Sequence, residues 1–340
     1  VLCHLLFFFF LRFPMYYSNV DEVRKLMNTH GKGKKPFLFA VNFEMSEGIF
    51  LERPFSQSEV LFYVREMYTN AESNKINKNF HFSATPLTYP EYKQKFDIIH
   101  NNLLKGNSYL TNLTIKTPVT FNLSLDEIFK YSDAPYKILI RDKFVCFSPE
   151  RFVKISGNRI STNPMKGTIN ASIPNAEQII LNDYKETAEH NTIVDLLRND
   201  LSMVATNVRV NRFRYIDHIK TNISDILQVS SEITGTIKEN PDNLGDIIFR
   251  MLPAGSISGA PKDATIQSIK AAEQEPRGYY TGIFGYYNGT ELDTAVMIRY
   301  IEKEGDKDYF RSGGGITAYS DCLSEYNEVL NKIYLSLNHN

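Results

Sequence analysis

The chain has 340 residues, 42% of them hydrophobic, enough to bury one large core or two smaller ones. A net charge of −1, with no basic run interleaved with aromatics, excludes the footprint of a nucleic-acid-binding protein. Cys3, Cys146 and Cys322 lie far apart without metal-ligand spacing, which fits a reducing cytoplasm better than a disulfide-bonded secreted chain.

Val1 to Leu11 is almost wholly apolar and is followed by Arg12-Phe13-Pro14-Met15. It is too short to span a bilayer as a helix, and it lacks the basic leader and small-residue cleavage site of a signal peptide. Residues 1–14 therefore read as an extension outside the fold, with the natural start at Met15, in preference to a membrane anchor. Residues from about 36 to 53 read as two short strands joined by a turn. The Asn- and Lys-rich stretch from Asn70 to Asn79 reads as a surface loop and an internal boundary. After Tyr89-Pro90, Tyr92, Phe96, Ile99 and Leu103 mark a helix that stops at Gly106. Strands follow from Tyr109 to Ile115, Tyr136 to Ile140, Phe144 to Phe147 and Phe152 to Ile155. A helix from Asp183 to Leu197 carries an apolar stripe of Ile193, Val194, Leu196 and Leu197. Another, from Leu323 to Leu335, turns Tyr326, Leu330, Ile333 and Tyr334 inward. Strands dominate without a βαβ alternation, so the class is α+β. The organisation is a short N-terminal region at 15–89 and a catalytic region at 90–337.

The chemistry begins with two carboxylate pairs. Glu186 and Glu189 are three apart on one helix, Glu325 and Glu328 three apart on another, so each pair aims its oxygens at one point. Either pair alone fits a solvated helix face, and Glu328 with Lys332 makes an ordinary i,i+4 pair. Four carboxylates converging would require a cation, and hard oxygen donors without Cys select Mg²⁺ over zinc. The segment Gly255-Ser256-Ile257-Ser258-Gly259-Ala260-Pro261-Lys262 is neither a P-loop nor a GxGxxG fingerprint. It reads as a tight turn, or as backbone N–H groups offered to an anion at a helix start near Asp263. Gly313-Gly314-Gly315 would let a ligand approach the backbone closely, and the neighbouring Arg311 could hold a carboxylate. Glu150, between two apolar strands, should face a cleft with a raised pKa and act as a general acid. Lys166, in a Pro/Gly turn, is either an exposed loop lysine or, if buried, a nucleophile with a lowered pKa.

SPERF (148–152), PMKGT (164–168), ETAEHNTIVDLLRNDLS (186–202), GSISGAPK (255–262), EPRGYYTGIFGYYNG (275–289) and SGGGITAYSDCLSEYNEVLNK (312–332) occur in that order. Together they resemble the chorismate-utilising enzymes, over about residues 90–337. The resemblance implies a large α+β fold of antiparallel sheets stacked face to face, helices outside, and an active-site cleft between them. It also implies Mg²⁺ held by Glu186, Glu189, Glu325 and Glu328 and bridged to the ring carboxylate of chorismate. Lys166 would attack C2 of chorismate while Glu150 protonates the leaving C4 hydroxyl. Thr168, Tyr280, Arg311, Gly313, Gly314, Gly315 and Lys332 would bind substrate. Lys166 and Gln228 resemble the members that form 4-amino-4-deoxychorismate, for 4-aminobenzoate and folate synthesis, and keep the enolpyruvyl group. The anthranilate-forming members are the alternative, and a non-enzymatic paralogue would require damage at Glu150, Lys166 or the glutamates, all of which are present. Leu110 stands where those aminating members usually carry Gln. A tryptophan-binding LLES-type motif is not recognisable. No Cys-His-Glu glutaminase module is present, so ammonia would come from solution or from a separate glutamine amidotransferase subunit, in a possible heterodimer. No nucleic-acid or membrane partner is expected.

Overall fold

The computed structural model describes residues 15–65, 68–76, 79–219 and 225–337. The apolar extension 1–14 lies outside the described residues, as do two positions of the polar stretch 70–79. Two antiparallel sheets, of ten and nine strands, make up the centre. In the larger sheet, Phe37–Val41 pairs on one side with Gly48–Leu51 and on the other with Ile283–Tyr287. The smaller sheet is built around Leu110–Phe121 and Lys307–Ile316, with Tyr136–Ile140, Phe144–Ser148 and Val60–Val64 further along.

The packing explains the apolar runs. Phe37–Val41 is buried at all five positions because it is covered on both faces. Leu38 and Ala40 pack between the sheets with Val60, Phe62, Ile138, Phe284 and Tyr300. Phe37, Phe39 and Val41 face outward onto Val23, Met27, Leu197, Leu201 and Ile248 of the covering helices. Alternation along a strand thus serves two cores instead of one core and solvent. The helix Tyr89–Leu104 buries Tyr92, Phe96, Ile99 and Leu103, the stripe read from its sequence, against Leu113 and Ile115 of the smaller sheet. A Thr88–Glu91 capping box starts it.

Two helices differ from expectation. Tyr184–Val204 runs seven residues past Leu197, burying His190, Asp200, Leu201 and Val204 as well. Cys322–Asn331 ends before Ile333 and Tyr334, and its buried positions are Glu325 and Val329. Tyr334 is 45% exposed. This helix lies over the glycine-rich end of Lys307–Ile316, which has no side chains to meet an apolar stripe. Glu325 turns inward there, while Tyr326 packs against Tyr92 and Ile333 against a second core, as expected. The stretch 15–89 contributes strands to both sheets, and Glu44 accepts hydrogen bonds from the Arg277 and Gly278 N–H groups (2.8 and 3.1 Å).

Candidate active site

A cavity of about 1120 Å³ opens where the helices Tyr184–Val204 and Cys322–Asn331 meet the edges of the two sheets. Glu150, Lys166, Glu189, Tyr280, Gly313, Gly314, Gly315, Glu325 and Lys332 all line it. Residues from segments 180 positions apart are brought to one concavity.

Lys166 reaches it through a break in pairing. Met165–Asn170 is in register with Ile226–Ile237 at Met165 and again at Thr168, with a shift between. Gly167, at φ +85°, absorbs the shift, and a Cβ there would stand 3.1 Å from Glu186 Oε2. The bulge aims Lys166 into the cavity, its Nζ 2.6 Å from Glu189 Oε2. Burial pulls the Lys166 pKa down, but Glu189, Glu328 and Glu186 together outweigh it and hold the amine above its ordinary value. The expected lowering is therefore reversed, because the carboxylates stabilise the ammonium more than burial costs it.

Glu150 follows Phe144–Ser148 and faces the cavity, accepting a hydrogen bond from Ser256 Oγ at 2.9 Å. Burial pushes its carboxyl up, against the opposing pull of Ser256, Arg299, Lys332 and Lys166. That is the direction a general acid needs at neutral pH.

The four glutamates converge. Burial raises the Glu186 carboxyl, with Glu189, Asp183 and Glu328 adding to it against Lys166. Glu186 Oε2 is buried and has no hydrogen-bond partner. Glu325, 2% exposed, is also pushed up by burial and by Glu328. Glu325 and Glu328 flank Gly314, where a Cβ would stand 3.7 and 3.5 Å from their oxygens. Among the described residues no three His, Cys, Asp or Glu side chains close a metal site as they lie. Two ammonium groups stand among the carboxylates instead: Lys166 on Glu189, and Lys185 at 3.7 Å from Glu189 and 3.9 Å from Glu325. An orphaned buried carboxylate oxygen in an all-oxygen donor set fits a hard divalent cation. Lys332, whose pKa burial lowers, donates to Gly313 O (2.9 Å) and Glu328 Oε1 (2.7 Å).

Two expected substrate-binding residues, Arg311 and Thr168, lie elsewhere, and Glu186 and Glu328 stand beside the cavity lining without being part of it. Arg311 is 4% exposed, does not line the cavity, and spends its guanidinium on Glu302 (2.8 Å), Glu275 (3.4 Å) and Pro276 O (3.2 Å). Three of its five N–H donors are thus committed to the protein, and the group stands outside the cavity where a substrate carboxylate would lie. Thr168 is exposed opposite Gln228 on the paired strand, and both are outside the lining. The turn Gly255–Ser258 does present an N–H to an anion, but the anion is internal: Gly255 N donates to Asp200 Oδ2 at 2.8 Å.

Arg299 is, with Lys185, one of two cations in the cavity that sequence reasoning missed. It lies at φ +54° in the crossover between Glu291–Val296 of one sheet and Tyr300–Glu304 of the other. A left-handed, non-glycine residue there turns its side chain out of both sheets. Its only signal is an arginine directly after the apolar run Ala295 to Ile298. Ser256 was missed as well, and Leu110 lines the wall. Tyr280 is buried with its hydroxyl pKa pushed up to about 12, so it stays a neutral donor.

The sequence pattern of the family described as chorismate binding enzyme matches residues 27–338. The chain is 47% identical over 321 residues to an uncharacterized PabA-like protein of Haemophilus influenzae, covering 94% of this chain and 98% of that one. It is 30% identical over 266 residues to aminodeoxychorismate synthase component 1 of Bacillus subtilis, covering 74% of this chain and 56% of that relative. Its fold matches a putative 2,3-dihydroxybenzoate-specific isochorismate synthase of Bacillus anthracis at a TM-score of 0.70 and 18% identity, covering 94% and 88% of the two chains. The stacked antiparallel sheets with outer helices are thus as expected. No helix among the described residues is long and apolar enough to cross a membrane.

Proposed function

The chain belongs to the family of chorismate binding enzymes, and from that premise we propose that it aminates chorismate at C4 to form 4-amino-4-deoxychorismate. The observation that carries this reading is the amine of Lys166 in the same cavity as Glu150, with Lys166 on Glu189 of the glutamate cluster. Chorismate is a dicarboxylate, and Arg299, Lys332 and the Gly313–Gly315 backbone supply the donors to hold it. Lys166, once its proton has passed to a neighbouring carboxylate, attacks C2. The ring double bonds shift, the C4–O bond breaks, and Glu150 delivers its proton to the departing hydroxyl, which leaves as water. Ammonia then adds at C4, the double bonds return, the C2–N bond to Lys166 breaks, and the Glu150 carboxylate takes the surplus proton. The enolpyruvyl group is untouched, so no lyase step is needed.

Glu186, Glu189, Glu325 and Glu328 would hold a Mg²⁺, which supplies positive charge for a substrate carboxylate. The ammonia source is a separate glutamine amidotransferase subunit, a reading supported by the relative named as a component 1. The test is a product assay with purified chain, chorismate, Mg²⁺ and ammonium. A non-fluorescent product with an amino group in place of hydroxyl and the enolpyruvyl retained supports the proposal. Fluorescent anthranilate with free pyruvate overturns it and leaves Lys166 without its role.

A further inference from the structure

Asp200 is 1% exposed on the helix Tyr184–Val204, eleven residues and about three turns beyond Glu189 on the same face. It touches neither the cavity nor the glutamate cluster. Its Oδ2 accepts from Gly255 N and its Oδ1 from Lys262 Nζ, both at 2.8 Å. Lys262 Nζ also donates to Met251 O at 2.6 Å. Both ends of the segment 255–262 are therefore tied to one buried carboxylate. Ser256, the first side chain inside that clamp, donates to Glu150 Oε1. The approach is close enough that a Cβ on Gly255 would stand 2.9 Å from Asp200 Oδ2.

We propose that Asp200 and Lys262 are positioning residues for the reaction: their buried ion pair fixes the Gly255–Ser258 turn where Ser256 Oγ can bond Glu150, and so keeps the acid in its working hydrogen bond. This rests on Glu150 being the acid. The charged groups facing Glu150 are Arg299, Lys332 and Lys166, and each favours its carboxylate, as the Ser256 hydroxyl does, while burial opposes them. Loosening the turn removes the Ser256 donor and leaves burial less opposed, so Glu150 holds its proton to higher pH. A rate that needs protonated Glu150 then declines at higher pH than before. An ion pair that served stability alone would leave that decline where it is.

The test is the pH profile of chorismate consumption at constant free ammonia, for Ser256→Ala, Lys262→Met and the double variant. Both single variants should move the alkaline limb up by about one pH unit, the worth of one hydrogen bond to a charged group. kcat should fall severalfold with KM near wild type, Lys262→Arg should restore the limb, and the double variant should shift no further than either single one. A Lys262→Met limb that stays in place while Ser256→Ala moves it overturns the proposal, as do additive shifts. Should Lys262→Met not fold, Asp200→Asn removes the same charge pair isosterically and carries the same expectations. Glu150→Gln run alongside separates two failures. If it keeps the wild-type rate and limb, the acid assignment is wrong. If it abolishes activity while Lys262→Met leaves the limb unmoved, only the positioning role is lost.

Discussion

Replacing Arg277 by Met should destabilise the fold by about 3–5 kcal/mol, the cost of leaving one partner of a buried ion pair unpaired. Arg277 is 1% exposed and Glu273 5%. The guanidinium donates to both Glu273 oxygens (2.9 and 2.7 Å), to Ile257 O (2.9 Å) and to Asn112 O (2.7 Å), and lies over the Phe43 ring. Methionine fills part of the volume but leaves Glu273 with one donor, the Thr114 N–H, and strips both carbonyls. A chain of this length has an unfolding entropy of about 0.7 kcal/mol per kelvin, so calorimetry should record a melting temperature lower by about 4–7 °C. Adding Glu273→Leu should recover part of the loss, because an apolar pair does not leave a stranded charge. Asn112 and Ile257 line the cavity, so kcat should fall even at temperatures where the variant is fully folded. A melting temperature within 2 °C of wild type would refute the reasoning, since it would mean that Glu273 finds another partner or water at no cost.

Lys166→Ala should slow chorismate amination by at least about 10³-fold, as expected for a covalent nucleophile, and an unchanged rate and product in single-turnover assays would remove Lys166 from the mechanism. Arg299→Ala should raise KM for chorismate by about 10–150-fold through loss of a charge-assisted hydrogen bond, whereas Arg311→Met should lower stability and leave KM within about threefold. The opposite pattern in steady-state kinetics would return the carboxylate role to Arg311. Glu186→Gln should weaken the Mg²⁺ requirement's apparent affinity by at least about tenfold in a metal titration of activity, and a normal titration would count against the carboxylate assignment. His190, buried against Ser231 Oγ at 2.7 Å, has its pKa lowered to about 4, chiefly by burial. Its neutral form is favoured by folding, so its contribution is complete above about 6.5 and declines as pH falls toward 4. In urea titrations between those values His190→Gln should show a shallower loss of stability with acid than wild type does. An identical slope would mean that His190 is solvated in the folded state.

Much of the site could be read in the chain because its chemistry sits on regular elements. The i,i+3 glutamate pairs come from helices, and Glu150 from a strand end, where spacing alone dictates direction. What escaped depends on contacts between distant segments. Arg299 and Arg311 are equally plausible carboxylate holders in sequence. They differ because Glu302, on the neighbouring strand at register Glu302↔Tyr309, bonds Arg311 outside the cavity, while the left-handed crossover residue Arg299 lines the cavity and faces Glu150. The charge state of Lys166 likewise follows from Glu189 on a helix, not from burial within its own turn. On Cys322–Asn331 the burial of Glu325 was missed, although Tyr326 packs inward as expected, because hydrophobic periodicity assumes an apolar partner, and here part of the partner is a glycine strand beside a polar cavity.

The pairing of Phe37–Val41 with Ile283–Tyr287 has a temporal side. The apolar run at residue 37 is made early, and the strand that covers its open edge follows about 240 residues later. At a synthesis rate of 5–20 residues per second, that is a delay of roughly 12–50 s. During this interval the hairpin of Phe37–Val41 and Gly48–Leu51 offers a bare, fully apolar edge, the kind of surface that pairs with other chains. Closure of the larger sheet is consequently a late, long-range event. A nascent chain truncated before residue 283 should be retained by holdase chaperones, whereas one extended past residue 296 also has Glu291–Val296, which joins Ile283–Tyr287 to Arg151–Ser156 and closes the sheet.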